Sequence, residues 1–91
     1  MCSSDLTSLP IPDVLTVYGA DWCGDCHRTK RYLDRAGVPY QYVDVGQDHA
    51  AQQLLDDAGY RAIPVVVTVG GAVLIEPSDM ELAAAIDAEA A

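Results

Sequence analysis

The sequence predicts an α/β domain in which a mixed four-stranded sheet is packed with three helices. Two patterns carry this prediction. An apolar strand-like run is followed by a helical stretch and a second strand-like run, which favours a parallel pair joined by a right-handed crossover. Later in the chain, Gly70-Gly71 lies between two apolar runs, which is typical of an antiparallel hairpin. A sheet with both kinds of neighbour satisfies the two patterns together.

The first half of the domain is predicted to contain two strands and two helices. Residues 14–18 are apolar and β-branched and residues 40–45 alternate, so both runs favour strands. One helix should begin near Cys23 and stop at Gly37, and another should run from an N-cap at Asp48 to a stop at Gly59. The apolar residues of the second helix recur at helical spacing at Ala50, Ala51, Leu54, Leu55 and Ala58.

The second half is predicted to contain a hairpin and a last helix. Residues 63–69 favour a strand with Pro64 near its start, and residues 72–75 favour the returning strand after a two-residue Gly-Gly turn. Ser78 and Glu81 match a capping box at the start of the last helix. The buried face of this helix should consist of Leu82, Ala83, Ile86 and Ala90.

Length and composition limit the domain count and the function classes. The 91 residues suffice for one domain, which we place at residues 13–91 after a Ser-, Asp- and Pro-containing tail at 1–12. A net charge of −9 disfavours nucleic acid and anionic membranes as partners. No apolar run reaches the length of about 18 residues that a membrane span requires. The N-terminus lacks a basic start and an apolar core, so we expect no secretory signal and a cytoplasmic protein. We also expect a monomer, although the sequence does not determine the oligomeric state.

The pair Cys23 and Cys26, separated by Gly24-Asp25, is the main functional signal. Two intervening residues at a helix start bring the two sulfurs within disulfide reach. The unpaired N–H groups and the positive end of the helix dipole stabilise a thiolate there, and the pKa of a thiol can fall from about 8.5 to about 3.5–7.5. Cys23 is therefore the predicted nucleophile and Cys26 the predicted resolving thiol.

Two other interpretations of the cysteine pair stay open. The pair could be half of a zinc site, but the sequence offers no second Cys-x-x-Cys or spaced His pair to complete four ligands, so we expect no metal. Alternatively the two cysteines could be inert and buried. A reducing compartment argues against a structural disulfide framework, and Cys2, in the tail, is expected to be adventitious.

The residues around the pair suggest how its reactivity is set. Asp25 is expected to tune the pKa of the Cys23 thiol, because its charge suits a helix N-terminus but repels a neighbouring thiolate; the dithiol should then be a reductant. The alternative is an Asp25 side chain that points into water. His27 is expected to be exposed rather than catalytic. The basic residues between Arg28 and Arg35 form either a solvated helix face or a contact for an acidic partner.

The chain resembles the glutaredoxin family of the thioredoxin superfamily, and most of all the actinobacterial mycoredoxin-like group. The resemblance spans residues 14–86 and implies the thioredoxin-like, glutaredoxin-type fold. It is carried by the active-site segment at 21–26, the Gly37-Val38-Pro39-Tyr40 segment, Val43-Asp44, the Ile63-Pro64 dipeptide and Glu76-Pro77-Ser78. The cysteine motif and Ile63-Pro64, about 40 residues apart in the family's order, make the resemblance specific.

The resemblance implies a role for each matching residue. Cys23 would attack a mixed disulfide and Cys26 would resolve it, while substrate would contact Trp22, a cis Pro64 and the backbone of Ile63, which would pair with an extended peptide as an added strand. The amides of Ser78 and Asp79, at a helix N-terminus, would hold a polar part of a low-molecular-weight thiol.

The departures from the family pattern bear on the thiol. Glutathione-using relatives commonly carry Gly-Gly where this chain has Glu76-Pro77, and often Pro-Tyr where it has Gly24-Asp25. The acidic protein also disfavours a negatively charged tripeptide. The resemblance therefore implies mycothiol, which has no free carboxylate, rather than glutathione as the reductant, and no tightly bound cofactor.

The predicted function is reduction of mixed disulfides on protein clients, and of protein disulfides, by a small dithiol oxidoreductase supplied with electrons by mycothiol or a similar thiol. Two alternatives remain at this point. One is a redoxin recharged by a flavoprotein thioredoxin reductase, for example for ribonucleotide reductase. The other is a non-enzymatic iron–sulfur or zinc carrier.

Overall fold

The computed structural model describes Leu9 and residues 11–90, with the backbone alone for residues 89 and 90. It contains four strands and three helices in the order that the sequence predicts. The elements are β1 (Leu15–Gly19), α1 (Gly24–Ala36), β2 (Tyr40–Asp44), α2 (His49–Ala58), β3 (Val65–Val67), β4 (Val73–Ile75) and α3 (Asp79–Ala90).

The four strands form one mixed sheet in the order β2-β1-β3-β4. β1 pairs in parallel with β2, with Leu15 opposite Tyr40, and antiparallel with β3, with Val17 opposite Val66. β3 pairs antiparallel with β4. The parallel pair and the antiparallel hairpin predicted from the sequence are both confirmed. Since β1 is central and buried at every residue, the loop that follows it begins from a rigid position.

Alternation along the central strands divides the core between the two faces of the sheet. Leu15 and Val17 point to the face that α1 and α3 cover, where Leu33 and Leu82 are fully buried. Tyr18 points to the opposite face, which α2 covers. The second face holds Leu9, Tyr18, Val45, Ala51, Leu55, Val65 and Val67. The period of two in a strand thus produces three layers, with the sheet in the middle.

Local capping chemistry sets the ends of α1 and α2. Asp48 caps α2 by accepting the N–H of Ala51 at 3.0 Å, as the sequence predicts. Gly37 and Gly59 end the two helices with φ of 72° and 87°, in the left-handed region that glycine adopts without a steric penalty. Each side-chain cap contributes about 1 kcal/mol to helix stability. These interactions fix the end of α1 and both ends of α2.

The hairpin between β3 and β4 differs from the predicted two-residue turn. The N–H of Gly71 donates to the carbonyl of Thr68 at 3.0 Å, and the N–H of Thr68 donates to the carbonyl of Ala72 at 2.9 Å, so three residues form the loop. Of the three loop residues, only Gly71 has a left-handed φ, which is 91°. A three-residue loop needs one such residue, whereas the commonest two-residue turn needs two.

The strands of this hairpin are also shorter than predicted. Residues 63–69 were expected to form one strand, but only Val65–Val67 pair with their neighbours. Pro64 has no N–H to contribute to a ladder, and the bond of Thr68 to Ala72 closes the loop beyond the end of β3. Apolar composition therefore overestimates the strand at both ends. Among residues 11–90, no helix is both long and apolar enough to cross a membrane.

Candidate active site

Cys23 is the N-cap of α1 and takes an extended conformation, with φ of −94° and ψ of 109°. Its Sγ accepts the backbone N–H of Cys26 at 3.2 Å, in the position that a Ser or Asp oxygen occupies in an ordinary helix cap. The same thiol points to the carbonyl oxygen of Ile63 at 3.8 Å. The side chain is partly exposed, so an external disulfide can reach the sulfur.

Cys26 lies one turn further along α1 and is fully buried, with 0% of its surface exposed. Its pKa is raised from 9.0 to about 12, chiefly because burial penalises the thiolate and also because its thiol hydrogen-bonds to Cys23. A hydrogen bond with the Ala20 backbone acts in the opposite direction. The two cysteines therefore differ: one sulfur meets solvent at a helix N-terminus, and the other holds its proton inside the protein.

The Ile63–Pro64 segment faces Cys23, and its peptide bond is cis. The carbonyl of Pro64 accepts the N–H of Glu76 at 2.8 Å, which ties this segment to the chain that leads into α3. Glu76 has a φ of 47° and is the one non-glycine residue with positive φ among the described residues. Pro77, which follows, is buried. The Ile63–Pro64 segment beside Cys23 is thus bonded to the segment that leads into α3.

Trp22, immediately before Cys23, is a large apolar side chain left 75% exposed. Its ring lies against the backbone of Gly46, where an added Cβ would come within 2.6 Å of the ring carbons. The Gly46 N–H donates to the carboxylate of Asp44 at 2.8 Å, which holds the backbone in place. A side chain at 46 would force the Trp22 ring to move, a requirement that the sequence pattern did not reveal.

Arg28 links two of the predicted site residues. Its guanidinium lies 3.4 Å from the carboxylate of Asp25 on the preceding turn of α1 and 4.0 Å from that of Asp79 on α3. It also donates to the carbonyl of Pro77 at 3.5 Å. Asp25 was expected either to tune Cys23 or to point into water; in the structure it is paired with a half-exposed arginine. The i,i+3 spacing of Asp25 and Arg28 was the available signal.

Ser78 and Glu81 form the reciprocal capping box that the sequence predicts. The N–H of Glu81 donates to Ser78 Oγ at 3.1 Å, and the N–H of Ser78 donates to the Glu81 carboxylate at 2.8 Å. The Ser78 amide, expected to hold the thiol, is thus already bonded within the helix cap. A ligand that uses this amide must displace the Glu81 carboxylate.

His27 connects the helix to the loop before it. Its Nε2 lies 2.7 Å from the carbonyl oxygen of Asp21, and because a carbonyl can only accept, Nε2 carries the proton and donates. The ring therefore holds the loop that carries Trp22 and Cys23. This hydrogen bond gives His27 a structural role at the start of α1.

Two residues at the back of the site were missed by sequence reasoning. A Cβ on Gly19 would lie 2.8 Å from both Cys26 Sγ and Tyr42 Oη, so the end of β1 has no room for a side chain. Tyr42, on β2, is packed beneath Lys30, whose ammonium lies 4.0 Å from the ring centroid. Only the parallel pairing of β1 with β2 brings Tyr42 to the cysteines, so no local motif could have indicated it.

The remaining predictions concern metal and the third cysteine. Among the described residues, no group of three or more His, Cys, Asp or Glu side chains gathers as a metal site. Cys2 lies outside the described residues.

Comparison with known proteins identifies a matching family model and several similar proteins. A glutaredoxin family model matches residues 15–73. "Putative glutaredoxin Rv3198A" of Mycobacterium tuberculosis is 34% identical over 76 residues, covering 81% of this chain and 90% of that protein. The glutaredoxin-like protein NrdH of Escherichia coli K12 is 32% identical over 53 residues, covering 58% of this chain and 65% of the relative.

Two solved structures share the fold. A mutant of the thioredoxin-like protein BC3987 superposes with a TM-score of 0.73 and 28% identity, covering 84% of this chain and 97% of that one. The glutaredoxin-like NrdH-redoxin of Escherichia coli, described as having a thioredoxin-like activity profile, superposes with a TM-score of 0.67 and 28% identity. It covers 76% of this chain and 91% of the NrdH-redoxin. The predicted fold class is confirmed.

Proposed function

The chain belongs to the glutaredoxin family of thiol-disulfide oxidoreductases, and on that premise we propose that it reduces mixed disulfides between proteins and a low-molecular-weight thiol. The observation that carries the proposal is the partly exposed Cys23 Sγ, which caps α1 and accepts the N–H of Cys26 at 3.2 Å. A donor already aimed at the sulfur stabilises negative charge on it without reorganisation.

The first step is attack by the Cys23 thiolate on the small-thiol sulfur of the mixed disulfide. The new bond joins Cys23 to the small thiol, and the protein client leaves as a thiolate that takes a proton. A second molecule of the small thiol then attacks this mixed disulfide. Cys23 leaves as the thiolate, and the small thiols depart as their disulfide, so both electrons come from the small thiol.

Protein disulfides require the second cysteine. Cys26 attacks the Cys23 sulfur of an intermediate linked to the client, forms the Cys23–Cys26 disulfide and expels the client thiolate. The hydrogen bond from the Cys26 backbone N–H to Cys23 Sγ keeps the two residues close together for this attack. Burial of the Cys26 thiol withholds it from solvent oxidants until Cys23 has reacted.

The client binds next to Cys23, where the Ile63–Pro64 segment faces the thiol and Trp22 precedes it in the chain. The exposed Trp22 ring offers apolar contact to an extended peptide. The backbone next to Pro64 offers polar groups with which such a peptide can pair as an added strand. Ile63 contributes its carbonyl, which faces the Cys23 thiol at 3.8 Å.

Mycothiol is the reductant that the charges around α3 favour. The first turn of this helix carries Asp79 and Glu81, and Glu76 lies just before it. Arg28 already pairs with Asp25 and Asp79. A thiol with carboxylates would meet more negative than positive charge at this helix N-terminus, whereas a thiol without them would not. We assign the Asp79 amide as the hydrogen-bond donor to the bound thiol, because the neighbouring Ser78 amide already donates to Glu81.

The test is turnover of one peptide carrying either mycothiol or glutathione in mixed disulfide, with each thiol and its own reductase. We expect faster turnover with mycothiol, none for Cys23→Ser, and retained mixed-disulfide reduction for Cys26→Ser. Cys2→Ser is the parent background, because it removes the third thiol. Activity that survives Cys23→Ser, or a preference for glutathione, would overturn the corresponding part of the proposal.

A second candidate function is favoured by the similarity to the NrdH proteins. In this alternative a flavoprotein thioredoxin reductase with NADPH recharges the Cys23–Cys26 disulfide directly. The distinguishing measurement is NADPH oxidation by thioredoxin reductase with an oxidised protein client and no small thiol. Turnover in this assay, and none with mycothiol or glutathione, would replace the first candidate by the second.

A further inference from the structure

The hydroxyl of Tyr42 is buried in β2 and has no hydrogen-bond partner among the described residues, a property it shares only with the Thr29 hydroxyl. Leaving a buried polar group unsatisfied destabilises the folded protein, because the group loses its hydrogen bonds to water without replacement. A phenylalanine at this position would fill the same space without that cost. We therefore expect the hydroxyl to form a hydrogen bond in another state of the protein, since it has none among the described residues in the reduced state.

The position of the hydroxyl indicates the partner. Tyr42 Oη and Cys26 Sγ each lie 2.8 Å from the point where a Cβ on Gly19 would stand, so the two atoms are at most twice that distance apart. Both atoms are buried. Gly19 provides the space between them, and a side chain there would separate them.

The charge on Cys26 changes during the reaction assigned above. Cys26 must lose its proton before it attacks Cys23, and burial opposes the resulting thiolate. A hydrogen-bond donor near Cys26 Sγ lowers this penalty. Tyr42 can be that donor because burial, followed by the charge of Cys26, raises its pKa from 10.0 to about 12, so the phenol keeps its proton.

We propose that Tyr42 is a positioning residue for the resolving step: its hydroxyl turns to Cys26 Sγ when that sulfur becomes a thiolate. The inference rests on the proposed function. Cys26 loses its proton and attacks the Cys23 sulfur of a mixed disulfide; the Cys23–Cys26 bond forms and the bond to the leaving thiol breaks. The leaving thiolate takes the electron pair and then a proton. Tyr42 donates a hydrogen bond and keeps its proton throughout.

The Lys30 ammonium contacts the ring of Tyr42 and helps to hold it in place. It lies 4.0 Å from the Tyr42 ring centroid, where the cation attracts the ring's electrons. Substituting phenylalanine keeps the ring and its contact with Lys30 and removes only the hydroxyl. Tyr42→Phe is therefore the variant that separates the proposed hydrogen bond from packing.

The experiment is stopped-flow reaction of the reduced protein with dithionitrobenzoate in the Cys2→Ser background. Attack by Cys23 releases one thionitrobenzoate, and resolution by Cys26 releases a second, so the two steps appear as two phases at 412 nm. For Tyr42→Phe we expect the first phase to be unchanged and the second to slow about tenfold, which corresponds to about 1.4 kcal/mol of lost hydrogen-bond stabilisation of the thiolate. The pH at which the rate of the second phase is half-maximal should also be higher in the variant than in the parent.

The pH dependence of the second-phase rate is compared between the parent and Tyr42→Phe. The groups that act on Cys26 or Tyr42 are Cys23, Asp21, Asp25 and Asp44, together with the Lys30 ammonium. All of them are present in both proteins, so the shift reports the hydroxyl alone. Tyr40→Phe is the matched control on the same strand, because the Tyr40 hydroxyl pairs with Asp34. It should leave both phases unchanged.

A second phase within twofold of the parent, or equal slowing of both phases, would overturn the role of Tyr42. A first phase at the parent's rate shows that the variant keeps the folded helix start at which Cys23 lies. Failure of the proposed function has a different signature: the parent itself would then show no Cys23-dependent first phase, or no second phase that Cys26→Ser removes.

Discussion

The carboxylate of Glu81 accepts the backbone N–H of Ser78 at 2.8 Å, so the helix cap occupies the amide at which a small thiol was expected to bind. The cap thus places a negative charge where a polar group of the ligand would arrive. A neutral ligand has to displace this carboxylate, and an anionic ligand must in addition overcome its charge. The residue that stabilises α3 is therefore also placed to influence which thiol binds.

Glu81→Gln should favour anionic thiols. Glutamine keeps the capping box, so the fold is retained, but it removes the charge. We expect the KM for a glutathione mixed disulfide to fall about two- to fivefold, which corresponds to about 0.5–1 kcal/mol at a helix N-terminus, with little change for the mycothiol substrate. Asp87→Asn, an exposed charge further along α3, is the control. Equal effects of both variants would indicate net charge rather than position.

The stability of the reduced protein should fall as the pH rises above about 9. The pKa of Cys26 is raised from 9.0 to about 12, so between these values the folded chain binds a proton that the unfolded chain has lost. Unfolding then releases a proton, and the free energy of unfolding decreases by at most about 1.4 kcal/mol per pH unit for this group. Tyr42, raised from 10.0 to about 12, acts in the same direction at higher pH.

Urea unfolding with a phosphine reductant at pH 8, 9 and 10 measures this dependence. Cys26→Ser removes the thiol and should flatten the curve between pH 9 and 10. If that variant loses stability as steeply as the parent, the buried thiol is not the source of the pH dependence.

Gly19→Ala should damage both stability and resolution. The added Cβ would lie 2.8 Å from Cys26 Sγ and from Tyr42 Oη, and overpacking of this kind costs about 1–3 kcal/mol. Gly24→Ala is the matched control, since an added Cβ there meets nothing within 4 Å; it should be neutral or stabilising by up to about 1 kcal/mol. Thermal unfolding of the two variants, with the two-phase thiol assay, makes the comparison. Similar midpoints would show that Gly19 tolerates a side chain.

Asp25→Asn should speed the reaction of Cys23 with iodoacetamide by about twofold at neutral pH. A carboxylate on the first turn of α1 repels a thiolate, but its ion pair with Arg28 at 3.4 Å and its exposure limit the effect. Asp13→Asn, an exposed carboxylate before β1, is the control. A slower reaction than in the parent would show that Asp25 assists Cys23 rather than restrains it.

The sequence by itself determined the order of the elements and most of their ends. The N-cap at Asp48, the stops at Gly37 and Gly59 and the capping box at Ser78 are bonds between residues close in the chain. Such bonds can be predicted from neighbours alone. The mixed sheet follows from connection lengths and handedness, and the cysteine pair at the start of α1 is likewise a local pattern.

Tertiary structure decided everything that depends on residues distant in the chain. The number of residues in the hairpin loop follows from how β3 pairs with β4, and the pattern of apolar residues predicted it wrongly. The contact of Arg28 with Asp79 joins α1 to α3, and the approach of Tyr42 to Cys26 joins β2 to α1. Periodicity shows which face of an element is buried, but it does not show which side chain from another element meets it. The sequence therefore identifies the reacting sulfurs, and only the packed sheet surrounds the inner sulfur with a hydroxyl and a glycine.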